Sequence, residues 1–245
     1  AFEKAGGLVE TFIFNNLTPA DIEVSIAAME KKIKEAQIVM IPGGASAGDE
    51  PDGSGKFIAA IFRHPRIKEA IAGLIEKRDG LMLGICNGFQ ALIRLGLVPY
   101  GEIRDITESS PALAINFTGN HVSRMVRTRV ASNLSPWLRN VEVGDIHTIA
   151  VSHGVGRFLA EAELLQELAQ RGQIATQYVD LAGRATRDFD FNPSGSLWAV
   201  EGISSPDGRI LGKMGHSERL GPHVAINVPG EKDQHIFAAG ISYFQ

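Results

Sequence analysis

The richest chemistry in the chain gathers at one turn, Leu81-Met82-Leu83-Gly84-Ile85-Cys86-Asn87-Gly88-Phe89-Gln90. A short apolar strand runs into Gly-x-Cys-x-Gly and then into a helix. This is the cysteine counterpart of the Gly-x-Ser-x-Gly nucleophile elbow. So tight a turn strains the nucleophile's backbone, and its neighbours must be glycine to avoid clashes. The sulfur then lies at a helix N-terminus, where the backbone dipole favours thiolate. Backbone N–H groups at the same turn can hold an oxyanion. Without the two glycines and the strand–helix setting, a lone cysteine would read as a small buried hydrophobe.

A cysteine nucleophile needs a base, and seven histidines are present. His216 follows a strand, in Gly215-His216-Ser217-Glu218-Arg219. The carboxylate of Glu218 can accept from its second ring nitrogen, fixing tautomer and orientation. His-x-Glu also occurs in solvated loops. His153, in Val151-Ser152-His153-Gly154-Val155-Gly156-Arg157-Phe158, ends a strand in a glycine-rich loop and is the rival base. A third element is Ile41-Pro42-Gly43-Gly44-Ala45. Ligands of open α/β sheets bind at the carboxyl ends of the strands, and Pro-Gly-Gly there lets a backbone N–H approach one. Taken alone it is simply a turn.

These groups must be positioned by regular elements. The first residues, Ala1 to Gly6, read as the last turn of a helix stopped by glycine, and no initiating Met precedes them, so the sequence is expected to start partway into a larger chain. Residues 8–14 (Leu-Val-Glu-Thr-Phe-Ile-Phe) read as a strand. Thr18-Pro19-Ala20-Asp21 opens a helix with an apolar stripe at Ile22, Ile26, Met29 and Ile33. Residues 38–41 and 81–85 are short apolar strands of the kind buried in parallel sheets, with helices over 65–77 and 88–95. Further on, strands are predicted over 122–130, 146–152, 174–179, 197–203 and 209–214. The last two flank a Pro206-Asp207-Gly208 turn, and a helix carries Leu164, Leu165 and Leu168. The alternation argues for one α/β domain, an open and mostly parallel flavodoxin-like sheet with helices on both faces and an antiparallel extension.

Composition narrows the function classes. The chain has 245 residues, 44% hydrophobic and 21% charged, with net charge −4. These values fit a globular domain with a real core and speak against disorder. The acidic balance argues against a nucleic-acid partner. One cysteine excludes an internal disulfide and suits a reducing, cytoplasmic setting. No apolar run nears the ~20 residues needed to span a bilayer, and no signal peptide is seen. Gly53-Ser54-Gly55-Lys56-Phe57 fails as a phosphate loop, since Glu50 stands where the first glycine belongs and Phe57 replaces Ser/Thr. Arg124, Arg127 and Arg129 lack the aromatic interleaving of a nucleic-acid site. No cluster has metal-ligand spacing.

Pro-Gly-Gly, then Gly-Ile-Cys-Asn-Gly-Phe-Gln, then His-x-Glu near the C-terminus resembles a class I (triad) glutamine amidotransferase. Residues 48–57, Asn120-His121-Val122-Ser123-Arg124-Met125-Val126-Arg127 and the Ser-His-Gly-x-Gly-Arg-Phe stretch extend the likeness. Together they resemble the C-terminal glutaminase domain of single-chain phosphoribosylformylglycinamidine synthases, over residues 1–245. The resemblance implies Cys86 as nucleophile, His216 as base and acid, and Glu218 as the residue orienting it. It implies Gly44 and Asn87 as oxyanion N–H donors, and places Gln90 and His153 beside the substrate. Ala45 stands where Phe is usual, and Val155 where Glu is usual. The family domain begins with a strand that would lie upstream of Ala1, so the domain is expected to lack its first strand.

The implied reaction hydrolyses L-glutamine to glutamate and ammonia, with no metal and no cofactor in this domain. The implied partner is a synthetase portion of the same enzyme, which uses ATP and Mg to convert formylglycinamide ribonucleotide to formylglycinamidine ribonucleotide in purine biosynthesis. The alternatives are a non-catalytic docking module on the same fold, against which all three triad residue types speak, and another cysteine hydrolase.

Overall fold

Thr18 starts the first long helix in the way its sequence predicts. Its hydroxyl accepts from the Asp21 N–H and the Asp21 carboxylate accepts from the Thr18 N–H, closing a capping box. In this computed structural model, residues 1–44 and 55–245 are described. Ala45 and most of the 48–57 stretch therefore lie outside the described residues. Ahead of the helix, Gly7 N–H donates to Phe2 C=O and Gly6 N–H to Glu3 C=O, with Gly6 at φ +90°. That is the expected glycine-stopped helical turn, in Schellman form.

The elements in chain order are α1 (Pro19–Glu35), β1 (Ile38–Ile41), α2 (Lys56–Phe62), α3 (Pro65–Ala72, continued by a π-helical turn, Gly73–Lys77), β2 (Leu81–Ile85), α4 (Asn87–Leu95) and the single turn α5 (Leu97–Tyr100). Then follow β3 (Ala112–Ile115), β4 (Val122–Val130), β5 (Ile146–His153), β6 (Val155–Leu159), α6 (Ala162–Gln170), β7 (Ile174–Tyr178), β8 (Val200–Ser204), β9 (Ile210–Lys213) and α7 (Ile236–Ser242). Seven strands form one sheet in the order β1-β2-β9-β8-β7-β4-β5, and β3 pairs with β6 separately.

The α/β class with an antiparallel extension is as expected, but the sheet is mixed rather than mostly parallel. Among the described residues parallel pairing is confined to β1–β2 and β2–β9, and the pairs from β9 outward to β5 are antiparallel. The Asp207–Gly208 turn joins β8 to β9, with Gly208 at φ +77°. Residues 8–14 form no strand. A strand exists through its ladder, and no described strand lies beside this segment. It is tethered to α1 instead: Asn15 N–H donates to Ser25 Oγ, Ser25 Oγ–H donates to Asn15 C=O, and Lys32 pairs with Glu10. Leu8 and Ile13 are left exposed. The glycine-rich stretch after His153, expected as a loop, instead turns directly into β6.

Most of the core is one apolar cluster, centred on β2, α4, β9 and the helices over them. A smaller cluster of Val126, Ile149, Val151, Tyr178 and Ala199 covers the antiparallel strands. Because β1, β2 and β9 run parallel, the C-terminal ends of all three open on the same edge. Gly43, Cys86 and His216 follow those ends.

Candidate active site

The elbow forms because nothing larger than glycine fits on either side of it. A Cβ on Gly84 would lie 2.6 Å from Leu92 Cδ1 and 2.7 Å from the Gly88 carbonyl carbon, and one on Gly88 only 2.0 Å from the Ile41 carbonyl oxygen. So α4 sits directly against β1 and β2, and the chain must reverse within one residue. That residue is Cys86, at φ 52° and ψ −105°, a region a side-chain-bearing residue rarely enters. Its N–H donates to the Lys213 carbonyl at the end of β9 (2.8 Å).

Cys86 and His216 both pack against Gly43. A Cβ there would stand 3.2 Å from Cys86 Cβ and 2.6 Å from His216 Cε1, so both side chains crowd the same backbone. Both are buried, at 6% and 4% exposure. The His216 N–H donates to the Ala150 carbonyl of β5 (2.8 Å), which fixes its main chain. Its Nδ1 lies 2.5 Å from Glu218 Oε1. A carboxylate only accepts, so Nδ1 carries a proton, and in the neutral ring Nε2 would hold the free lone pair. Nε2 is buried with no hydrogen-bond partner among the described residues. Burial pushes Glu218 up, but the His216 hydrogen bond and charge, with Lys213 behind, hold it below the usual carboxylate range.

Burial favours the neutral thiol. Burial pushes Cys86 up to about 11 and the Glu218 charge adds to this, against the pull of the Asn87 N–H and Arg219. The helix-terminus effect expected from sequence is thus present, through the Asn87 N–H, but desolvation outweighs it. A neutral thiol donates, and Sγ points at the Ser152 carbonyl, 3.7 Å away.

His153 is at the site but is built differently from His216. Asn116 Nδ2 donates to the Asn120 and His153 carbonyls, which leaves its Oδ1 to accept from His153 Nδ1 (3.1 Å). Burial pushes His153 down to about 4, helped by His121 and His216. Among the described residues no carboxylate hydrogen-bonds its ring, whereas Glu218 holds that of His216, so His216 is the better equipped of the two to act as a base. Gln90, inside α4, donates from Nε2 to the Val155 carbonyl (2.5 Å), tying α4 to β6. Its Oε1 is buried without a partner among the described residues. Val155 therefore meets the site through its backbone. Gly44, just beyond β1, is exposed, at φ +136°.

The structure thus gathers Cys86, Asn87, Gln90, His153, His216 and Glu218 around the end of β1. Sequence reading passes over Asn116, which orients His153, and over Glu201 and Lys213 behind His216. The last two had a signal: opposite charges embedded in the apolar strands of one hairpin. Among the described residues no group of His, Cys, Asp and Glu is arranged to hold a metal ion, and no helix is long and apolar enough to cross a membrane.

A family model described as a CobB/CobQ-like glutamine amidotransferase domain matches residues 1–244. The chain is 32% identical over 222 residues to the phosphoribosylformylglycinamidine synthase subunit PurQ of Methanococcus maripaludis, covering 89% of this chain and 75% of that one. To the PurQ subunit of Aquifex aeolicus it is 30% identical over 219 residues, covering 86% and 87%. Both are named as subunits, rather than as the single-chain form expected from sequence. In fold it resembles a chain in the structure of PurLQS from Thermotoga maritima, with a TM-score of 0.62 and 26% identity over 85% of this chain and 80% of that one.

Proposed function

We infer the function from one premise: the chain belongs to the CobB/CobQ-like glutamine amidotransferase domain family. It acts as the glutaminase of a phosphoribosylformylglycinamidine synthase, releasing ammonia from L-glutamine for a synthetase partner. The observation that supports the assignment of roles is the packing of an elbow cysteine and a carboxylate-oriented histidine against the same residue, Gly43.

Cys86 gives its proton to His216 Nε2 as the sulfur attacks the side-chain amide carbon of glutamine. The oxyanion accepts from the Gly44 and Asn87 N–H groups. Imidazolium, held by Glu218, passes the proton to the departing nitrogen, and ammonia leaves. A γ-glutamyl thioester remains on Cys86. Water then loses a proton to His216 as it attacks the thioester, and glutamate departs as the thiol is restored. A thiol that rests protonated suits this cycle, because proton transfer is coupled to attack. Gln90 Oε1 and His153 Nε2, both buried and unpaired among the described residues, are acceptors for the substrate's α-ammonium or amide. The domain itself needs no cofactor. ATP and Mg belong to the synthetase partner, where ammonia meets formylglycinamide ribonucleotide, and the setting is cytoplasmic.

The test is Cys86→Ala in the complete synthase. Glutamine-dependent activity should vanish while activity with added ammonium salt stays near wild type. Equal loss of both, with the fold intact, would place the cysteine's role outside ammonia release.

A further inference from the structure

Lys213 and Glu201 are both completely buried, and their side chains pair at 3.1 Å. An ammonium has three N–H donors. Those of Lys213 have three acceptors: Glu201 Oε1, the Gly215 carbonyl (3.0 Å) and Ser217 Oγ (2.9 Å). The last two lie immediately before and after His216. Glu201 adds a second hold on the same peptide run, since its Oε1 also accepts the Gly215 N–H (2.5 Å), and its Oε2 accepts from Thr176 Oγ1. Ser217 Oγ–H in turn donates to Gln234 Oε1 (2.5 Å), whose Nε2 donates to Thr128 Oγ1 (3.4 Å). The site is shaped for this contact: a Cβ on Gly215 would lie 2.8 Å from Glu201 Oε1. Lys213 reaches the nucleophile as well, through the carbonyl that accepts the Cys86 N–H.

Stability does not account for such a pair. Replacing a buried ion pair by apolar residues of similar volume is often neutral or stabilising, because desolvation offsets the attraction. What the pair supplies here is a fixed direction for three consecutive residues.

We propose that Lys213 and Glu201 are positioning residues for the base: together they clamp the backbone on both sides of His216 and so aim its ring at Cys86. The proposal rests on the glutaminase reading above. Among the described residues the His216 ring has one side-chain hydrogen bond, to Glu218, so its direction depends also on where the main chain holds it. The clamp fixes that main chain. Misplacement of a catalytic group by about 1 Å can cost about a hundredfold in rate.

The experiment is the double variant Lys213→Met with Glu201→Leu, made in the complete synthase so that no charge is left buried alone. Glutamine hydrolysis is measured per active site, counted by alkylation of Cys86 with a glutamine-derived chloroketone. The clamp predicts an unchanged or higher melting temperature, a kcat lowered by about tenfold or more, and a KM for glutamine within about threefold. A kcat per site within about twofold of wild type overturns it. Should the double variant not fold, Ser217→Ala removes one arm and leaves the ion pair. A several-fold drop in kcat at constant KM then supports the clamp, and an unchanged kcat overturns it. Absence of glutaminase activity in the wild-type synthase would refute the functional reading instead.

Discussion

Around Cys86 the parallel strands β1, β2 and β9 bring hydrocarbon: Leu81, Met82, Leu83 and Ile85 are wholly buried, and Phe89 and Leu92 of α4 close over them. Around His216 the antiparallel strands β4, β7 and β8 bring Thr128, Thr176 and Glu201, β9 ends in the Lys213 ammonium, and the segment before α7 adds the Gln234 amide. Cys86 is held by shape, with strain stored there because the glycine contacts allow no other path. His216 is held by directed hydrogen bonds. Shape tolerates no added atom, whereas a polar network can lose a member and still pack. The two regions should therefore fail in different ways.

The largest effect is expected on the nucleophile side. Gly88→Ala puts a methyl 2.0 Å from a backbone oxygen of β1, which no side-chain rotation relieves. It should destabilise by about 3 kcal/mol or more, read as a lowered urea midpoint. A variant with wild-type stability would show that α4 can move off β1, and the elbow would then not be held by shape. On the base side, Glu218→Gln should leave the melting temperature almost unchanged and lower the kcat of glutamine hydrolysis by about 10²–10⁴-fold. Here the heavy-atom shape is kept and only the charge and tautomer control are lost. A drop smaller than about threefold would remove Glu218 from the catalytic arrangement.

The same contrast explains what could be read from the sequence. The elbow was legible because steric demands leave a residue-type signature: Gly84, Cys86 and Gly88 can be little else in so tight a turn. His216 and Glu218 were legible because a short local spacing brings both groups to one ring. Glu201 and Lys213 left a faint mark, opposite charges in the apolar strands of one hairpin, but their pairing appears only when β8 lies against β9. Asn116 reaches His153 from a distant part of the chain, a separation that no local pattern encodes. Residues 8–14 show the reverse error. Their apolar, β-branched composition reads as a strand, but strand formation depends on a neighbour that composition does not supply. Likewise the dipole argument for a thiolate at Cys86 was sound locally and was overridden by burial, a tertiary property.

That override can be measured as a dependence of stability on pH, with opposite signs on the two sides. His153, pushed down to about 4 from 6.5, stays neutral in the folded protein while the unfolded chain takes up a proton below about pH 6.5. Its contribution is therefore lost as pH falls, by about 3 kcal/mol in all on reaching pH 4, and His153→Gln should flatten that acid limb. Cys86 does the converse. Its folded-state thiol is pushed up to about 11 from 9.0, so the unfolded chain ionises first as pH rises. Stability from the neutral thiol is complete below about pH 9 and disappears by about pH 11, a change of about 2–3 kcal/mol. Tyr178, also pushed well up by burial, contributes to the same alkaline limb, so the wild-type curve alone does not isolate the thiol. The difference between wild type and Cys86→Ala does. The stability of wild type relative to Cys86→Ala should fall by about 2 kcal/mol between about pH 8 and pH 10.5. A thiolate already formed at rest would give the opposite slope, with wild type gaining on the variant as pH rises toward 9. In that event the helix terminus, rather than burial, would set the state of the nucleophile.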